Sequence, residues 1–181
     1  MTRFIPNPKN LGPAWLGLFF CLTALLFLAG SVVRAGESKN LRVMIKDSQV
    51  TMDFKRIPDD ERHVLALTHR RGKAEAGEGM SAEYESYMII DAWVGRKGFR
   101  KGHSMLTFSD GSKIFYSWTA DSKRNQANLP SLKGSGAITK GSGKFKGIEG
   151  RVEFSGVQDK PTSQDPSRAR TTELTLAYTL P

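Results

Sequence analysis

The chain has 181 residues, a net charge of +9 at pH 7 and one cysteine, Cys21. One cysteine excludes an intramolecular disulfide and any metal site built from several cysteine ligands. The basic residues occur in short separate groups rather than in one block, which favours a solvated surface over a dedicated polyanion-binding surface.

Residues 1–35 have the pattern of a secretory signal peptide. Arg3 and Lys9 precede an uncharged, mostly apolar stretch over residues 11–30, and Val33 and Ala35 occupy the positions that signal peptidase reads. We therefore expect cleavage after Ala35, a periplasmic or secreted protein, and no stable membrane insertion afterwards. The alternative is an uncleaved anchor, because about 20 apolar residues can span a bilayer.

Residues 36–181 are predicted to form one domain with its own core, because this length is ordinary for a single domain. Alternating apolar and polar residues predict strands, and no segment has the pattern of an amphipathic helix. Residues 38–47 have no clear pattern, and residues 70–80 are predicted to form a polar loop. The predicted strands cover residues 49–56, 63–69, 84–94, 101–109, 112–120, 132–140, 150–157 and 168–180.

The dipeptide Asp110-Gly111 lies between two alternating runs, which is the preferred sequence of a two-residue type I′ hairpin turn. This turn would pair Met105 with Tyr116 and His103 with Trp118. We expect the strands to close into a small antiparallel barrel. We assign the face that carries these residues to the interior of that barrel, because its side chains are larger and more aromatic. The predicted ligand-binding face of the lumen is therefore His103, Met105, Tyr116 and Trp118.

The opposite face of this hairpin would carry several large apolar side chains outward. Leu106, Phe108 and Phe115 are too apolar to face open water as a group. We therefore expect a terminal segment or a neighbouring subunit to cover them, which makes a homo-oligomer one of the expected assemblies.

A glycine-rich block spans residues 134–156, where glycines alternate with short apolar pieces. Glycines at such spacing suit tight turns, bulges and close backbone approach in a coiled antiparallel sheet. The run ITKGSGKFKGIEG, residues 138–150, with the SDGS hairpin at residues 109–112, resembles the allene oxide cyclase-like and dirigent-like β-barrel families. Their signature is Gly-Thr-Gly-(basic)-Phe-x-Gly-(apolar)-x-Gly, and Ser142 replaces the usual threonine here.

The resemblance implies an all-β fold, a single antiparallel, roughly eight-stranded barrel of calycin type over residues 50–180, in a bacterial secreted member. Plant members of these families include a cyclase and proteins that direct stereochemistry. No catalytic constellation of the plant enzymes matches this sequence, so the resemblance implies no catalytic residue here. Whether the protein is an enzyme stays open at this point.

The leading functional hypothesis is non-catalytic binding of a small apolar or amphipathic molecule in the barrel. Aromatic side chains with polar tips, beside a histidine, suit such a ligand. Asp91, in an apolar strand, is either a polar group of the lumen or an exposed residue of the outer face. The alternatives are a cyclase or isomerase that steers a reactive intermediate by cavity shape, and an envelope protein with a filled barrel that acts through interactions.

We expect no cofactor, no metal and no nucleic-acid partner. His63 and His69 are six residues apart on one predicted strand, which separates their Cα atoms by roughly 20 Å and prevents them from sharing a metal. Small basic barrels can bind single-stranded nucleic acid, but an exported protein rarely meets it.

The first prediction concerns export. Expression in a bacterial host with an intact secretory pathway should give a mature chain that begins at Gly36 and is recovered outside the cytoplasm. N-terminal sequencing of the purified protein checks this. Recovery of the whole chain, with residues 1–35 attached, in the membrane fraction would favour the uncleaved anchor.

Overall fold

The computed structural model describes residues 37–58, 60–93, 98–126, 129–160 and 169–181, without the side chains of residues 49, 61 and 78. The predicted signal peptide, residues 1–35, lies outside these ranges. Within them, no helix has the length and apolar character that crossing a bilayer requires.

Eight antiparallel strands form a closed barrel in which each strand pairs with its neighbours in sequence and the last pairs with the first. The predicted all-β, eight-stranded barrel is therefore confirmed. The strands are β1 (Lys39–Ile57), β2 (Asp60–Ala76), β3 (Met80–Trp93), β4 (Gly98–Phe108), β5 (Lys113–Arg124), β6 (Pro130–Ser142), β7 (Glu149–Gln158) and β8 (Arg170–Thr179).

Two regions without a predicted strand belong to the longest strands of the barrel. Residues 38–47 have no clear sequence pattern, yet all but the first form the start of β1. The polar loop predicted over residues 70–80 is wrong, because β2 continues to Ala76 and β3 begins at Met80 after a short 3₁₀ turn at Gly77–Gly79. The alternating pattern of residues 71–76 is hard to recognise in the sequence, because its inward-facing residues are small, such as Gly72 and Ala74, and its outward-facing residues are charged.

The turn between β4 and β5 has three residues rather than two. The N–H of Phe108 donates to the carbonyl of Ser112, and the N–H of Gly111 donates to the carbonyl of Phe108, both at 2.9 Å. Gly111 has φ +79°, which matches a three-residue hairpin loop that ends in a left-handed residue. Thr107 therefore pairs with Lys113, one residue away from the predicted register.

A one-residue shift in register moves every side chain of one strand to the opposite face of the sheet. The structure keeps Tyr116 and Trp118 on the buried face but places His103 and Met105 on the outer face, opposite Ser117 and Phe115. The predicted pairing of His103 with Trp118 is therefore wrong. Leu106 and Phe108, which we expected outside, lie in the core.

The core fills the barrel interior with large apolar side chains next to small ones. Trp118 lies across Gly102, where a Cβ would come within 2.6 Å of the indole ring. The indole also meets the Phe154 ring edge-on, with ring centroids 5.3 Å apart. The fully buried apolar residues include Val43, Ile45, Met88, Leu106, Ile114, Val152, Leu174 and Leu176.

The middle of the glycine-rich block, residues 143–148, forms the β6–β7 connection. Gly143 has φ +61° and Gly147 has φ +78°, and these positive values agree with the sequence-based expectation. A 3₁₀ turn, Gly143–Phe145, lies between them and buries Phe145 against Phe108, with ring centroids 4.9 Å apart. The turn thus closes this end of the barrel with an aromatic contact.

The second prediction concerns these glycines. Gly143→Ala and Gly147→Ala should each lower the free energy of unfolding by ~1 kcal/mol or more, because a left-handed backbone is strained for a residue with a Cβ. Chemical denaturation followed by fluorescence measures this. Gly77→Ala is the matched control, since a Cβ there meets nothing within 4 Å. Unchanged midpoints for both test variants would contradict the strained-turn interpretation.

Candidate functional site

The barrel is staggered at the end where β1 turns into β2. β8 pairs with β1 only from Lys39 to Asp47, whereas β2 pairs with β1 as far as Ile57. The last ten residues of β1 therefore extend past the end of β8. We call this end of the barrel the mouth, defined by residues 50–57 of β1, 60–68 of β2, 88–93 of β3 and 98–101 of β4.

Two apolar side chains of β1 line the inner face of the mouth. Met52 and Phe54 pair with Thr68 and Ala66 of β2, both of which are buried on the inner side. Directly opposed residues point to the same face of a sheet, so Met52 and Phe54 face inward as well. Yet Met52 is 36% exposed and Phe54 is 55% exposed. The inner wall of the mouth is thus apolar and open to solvent.

A buried ion-pair cluster forms the floor below this wall. Asp47 is fully buried, and its Oδ1 accepts hydrogen bonds from a guanidinium Nη1 of Arg70 and from the backbone N–H of Arg170, the latter at 2.9 Å. Its Oδ2 lies 3.5 Å from Nη2 of Arg170. Arg70 and Arg170 are both 4% exposed. One carboxylate therefore contacts two buried guanidinium groups.

Burial sets the proton affinity of this cluster. It raises the pKa of the Asp47 carboxyl, and the positive charges of Arg70 and Arg170 together with the Arg170 N–H act in the opposite direction. Burial likewise lowers the pKa of Arg70, with the nearby charge of Arg170 as the next cause. Two cations around one anion in a dry interior are only partly neutralised.

Arg100 adds a third cation to the floor. It lies on the inner face of β4, where it pairs with Ile90 and Ala120, and it is half-buried. Burial lowers the pKa of Arg100 to about 10, and the charges of Arg170 and Arg70 contribute to the same shift. Arg100 therefore stays protonated at neutral pH and close enough to both arginines to feel their charge.

Several buried polar atoms on this floor have no hydrogen-bond partner among the described residues. Within the described ranges, Nε of Arg100 and both Nε and Nη1 of Arg170 are buried without a hydrogen-bond partner. The hydroxyl groups of Thr68 and Thr172 are likewise buried and unpaired in the same part of the barrel. Arg170 and Thr172 line a cavity of about 10 Å³ with room for one water molecule. Unpaired buried polar groups are rare and destabilising, so the unpaired Nε of Arg100 needs an explanation.

Beside this floor the barrel interior is filled. Nε1 of Trp118 donates to Oγ of Ser104 at 2.8 Å, and Oγ of Ser104 donates to Oγ of Ser86 at 2.9 Å. Burial raises the pKa of Tyr116 well above its usual value, so its phenol stays protonated. The cavity that Tyr116 and Trp118 share with Arg170 and other interior residues measures about 10 Å³, room for one water molecule. No larger ligand fits at this level.

The other residues predicted for the lumen lie outside. His103 is exposed and Met105 is half-buried, both on the outer face of β4. Asp91 is on the outer face of β3, where Nε2 of His63 contacts its Oδ1 at 2.6 Å. The structure therefore does not place Asp91 in the lumen: it lies half-buried on the outer face. His103 and Met105 lie outside because the register of β4 is shifted by one residue. Asp91 lies outside because side chains alternate between the two faces of β3.

Histidines on the outer wall make local pairs rather than a metal site. The His63 ring stacks on Trp93 with centroids 4.0 Å apart, and Nε2 of His69 contacts Oε1 of Glu85 at 2.8 Å. In the part of the chain that the structure describes, no group of three or more histidine, cysteine, aspartate or glutamate side chains could hold a metal ion.

The outer wall near the mouth also carries an exposed apolar patch. Leu67 pairs with Ile89, and Phe99 pairs with Asp91, which itself pairs with Leu65. Leu67, Ile89 and Phe99 are each more than half exposed. Exposed apolar groups on neighbouring strands are a feature of interaction surfaces.

The sequence interpretation missed the arginine floor. It treated Arg70 and Arg100 as solvated loop charges, whereas both lie on the inner face of strands. The available signal was strand alternation, because Arg100 lies two residues from Gly102 and four from Ser104, both of which are buried on the inner face of β4.

Comparison with known proteins shows no family for this chain. No family model and no curated protein sequence matches the chain. Among solved structures, a pterocarpan synthase dirigent protein is similar: it shares 13% sequence identity, the alignment covers 84% of this chain and 95% of that one, and the TM-score is 0.46.

The third prediction concerns the buried carboxylate. Asp47→Asn should lower the free energy of unfolding by about 3–5 kcal/mol, because it leaves two buried guanidinium groups without an anion. Thermal and urea denaturation measure this. Asp53→Asn on the exposed face of β1 is the control and should change stability little, since the side chain of Asp53 is 78% exposed. Equal effects of the two changes would show that the cluster contributes no net stability.

Proposed function

We propose that this chain is an exported, dirigent-like barrel protein that binds a small amphipathic molecule at its mouth without transforming it. The observation that carries this proposal is the open apolar wall above a buried polar floor. Met52 and Phe54 are large apolar side chains on the inner face of a barrel, where they would normally be covered. A concave, mostly apolar surface with a few polar groups at one end is the usual form of a small-molecule site.

The proposed site lies above the level predicted from the sequence. Tyr116 and Trp118 belong to the packed interior, and the cavity there measures about 10 Å³, whereas ligand sites usually measure hundreds of Å³. We therefore assign these two residues to the base beneath the site. His103 and Met105 face outward and have no part in it.

Export supports the proposal from the sequence side. The predicted leader holds three basic and no acidic residues, so its removal leaves a mature domain with a net charge of +6. A binding protein of the periplasm or the exterior would carry out its function without a cofactor. Membership of the allene oxide cyclase-like and dirigent-like group, as a bacterial secreted protein, belongs to the same proposal.

The chemistry of the interior favours binding over catalysis. The buried carboxylate, Asp47, is hydrogen-bonded to Arg70 and to the Arg170 backbone, so it is poorly placed to accept a substrate proton. The Tyr116 phenol has a raised pKa, which disfavours its ionised form. A cyclase or isomerase that acts through cavity shape alone would still need a cavity, and the closed interior at Trp118 offers none of sufficient size.

The second candidate is an interaction protein with a filled barrel. The observation that favours it is the exposed outer patch formed by Leu67, Ile89 and Phe99. The following experiment separates the two candidates, because each depends on a phenylalanine of nearly equal exposure on opposite faces of the wall.

The fourth prediction compares Phe54→Ser with Phe99→Ser. Phe54 is 55% exposed on the inner face and Phe99 is 51% exposed on the outer face. Nile red, a neutral fluorescent probe, should bind the wild type, and Phe54→Ser should weaken binding about tenfold or more, since covering a phenylalanine contributes about 1.5–3 kcal/mol. Phe99→Ser should leave binding unchanged. Fluorescence titration measures the dissociation constants.

The opposite pattern would overturn the proposal. If the wild type binds no probe, and if native mass spectrometry shows an oligomer that only Phe99→Ser dissociates, the interaction protein is the better description. If both variants weaken probe binding equally, the probe reports general surface hydrophobicity and the mouth has no special role.

A further inference from the structure

The floor of the mouth has an excess of positive charge. Three arginines, Arg70, Arg100 and Arg170, contribute inward-facing cations, and Asp47 is the one buried carboxylate within the described ranges. The three guanidinium groups lie near one another, since the charges of Arg170 and Arg70 add to the effect of burial in lowering the pKa of Arg100. An interior cation normally has a paired anion, because desolvation of an isolated charge is strongly unfavourable.

The hydrogen-bonding pattern shows the same imbalance. The buried groups without a partner on the floor include Nε of Arg100 and the hydroxyl of Thr68. Nε and Nη1 of Arg170 and the hydroxyl of Thr172 are also unpaired, and these two residues line the closed cavity of about 10 Å³ beside Trp118, which has room for one water molecule. The unpaired acceptor atom on the floor, Oδ2 of Asp47, already lies 3.5 Å from Nη2 of Arg170. A group that supplied several acceptor oxygens and a negative charge would satisfy both imbalances at once.

Arg100 is the cation that such a group can reach from the mouth. Arg70 and Arg170 are almost fully buried and hold Asp47, whereas Arg100 is half-buried and has no ion pair with a carboxylate among the described residues. Its neighbour across the strand pair, Ile90, lies opposite Ala66, which pairs with Phe54. The apolar wall and the arginine thus belong to one continuous inner surface.

We infer that the floor of the mouth binds the anionic head group, a carboxylate or a phosphate, of the molecule whose apolar part lies against Met52 and Phe54. The inference rests on the proposed function and specifies its ligand as an amphipathic anion. Arg100 is the recognition residue, because a guanidinium fork matches two oxygen atoms of either head group. Arg170 and Asp47 are positioning residues, because their contacts with each other fix the structure of the floor.

A role in ligand recognition and a role in structure predict opposite effects of removing Arg100. A structural arginine stabilises the fold, so its replacement lowers the melting temperature. A cation kept for a ligand destabilises the empty protein, so its replacement by an apolar side chain of similar length leaves the melting temperature unchanged or raises it. The same replacement removes the preference for anions.

The test uses matched ten-carbon probes on the mature protein: decanol, decanoate and decyl phosphate, with inorganic phosphate as the head group alone. Isothermal titration calorimetry below the micelle concentration should give at least tenfold tighter binding of one anionic probe than of decanol. Decanoate against decyl phosphate distinguishes a carboxylate from a phosphate site. Equal affinities for decanol and both anions would overturn the inference and leave the proposed function standing.

Three variants complete the test. Arg100→Met should weaken the anionic probes at least tenfold and leave decanol unchanged, without a fall in melting temperature. Arg42→Met is the matched control, since Arg42 is exposed on the outer face of β1, and it should change no affinity. Arg100→Lys keeps the charge and should retain part of the preference. It covers the case in which Arg100→Met does not fold.

Two results with these variants would contradict the inference. A lowered melting temperature for Arg100→Met with an unchanged preference for anions would make Arg100 a structural residue. Equal losses in Arg100→Met and Arg42→Met would show that the preference reflects the general positive charge of the protein. Failure of the wild type to bind any probe, decanol included, would remove the proposed function and this inference together.

Discussion

The carboxylate of Asp47 joins three strands at the point where the barrel closes. It belongs to β1, it accepts a hydrogen bond from the Arg170 backbone of β8, and it binds the guanidinium of Arg70 from β2. The pairing of β1 with β8 ends at this residue, and the pairing of β1 with β2 shifts in register immediately after it. The seam of the barrel therefore ends at a buried ion pair, and the mouth begins beyond it.

That seam divides the interior into two parts with different chemistry. Where β1 pairs with β8, apolar side chains and the Trp118–Ser104 hydrogen bond fill the interior almost completely. Beyond that pairing, β1 and β2 continue without β8, and Phe54 on their inner face is 55% exposed. The stagger of the strands thus produces an open apolar surface directly above a charged floor, without any specialised loop among the described residues.

The sequence predicts the fold well because alternation and turn residues are local signals. The eight strands and the positive φ values of Gly143 and Gly147 follow from such signals. The orientation of β4 does not, because a two-residue and a three-residue turn at Asp110-Gly111 differ by one residue and turn His103 from the inside to the outside. Turn length is decided by backbone hydrogen bonds, which residue type alone does not fix. For that reason Tyr116 and Trp118 lie inside the barrel, whereas His103 and Met105 lie outside.

The sequence did not predict the arginine floor, because a charged residue is normally assigned to the solvent-exposed surface. In this barrel, however, Arg100 lies on the inner face of β4, opposite Ile90 and Ala120. A barrel that served only as a scaffold would gain stability by filling that position with an apolar side chain, because well-packed hydrophobic residues often replace buried ions without loss. Arg100 instead adds a third cation beside one carboxylate. The proposed recognition of an anion would account for that placement, whereas packing alone does not.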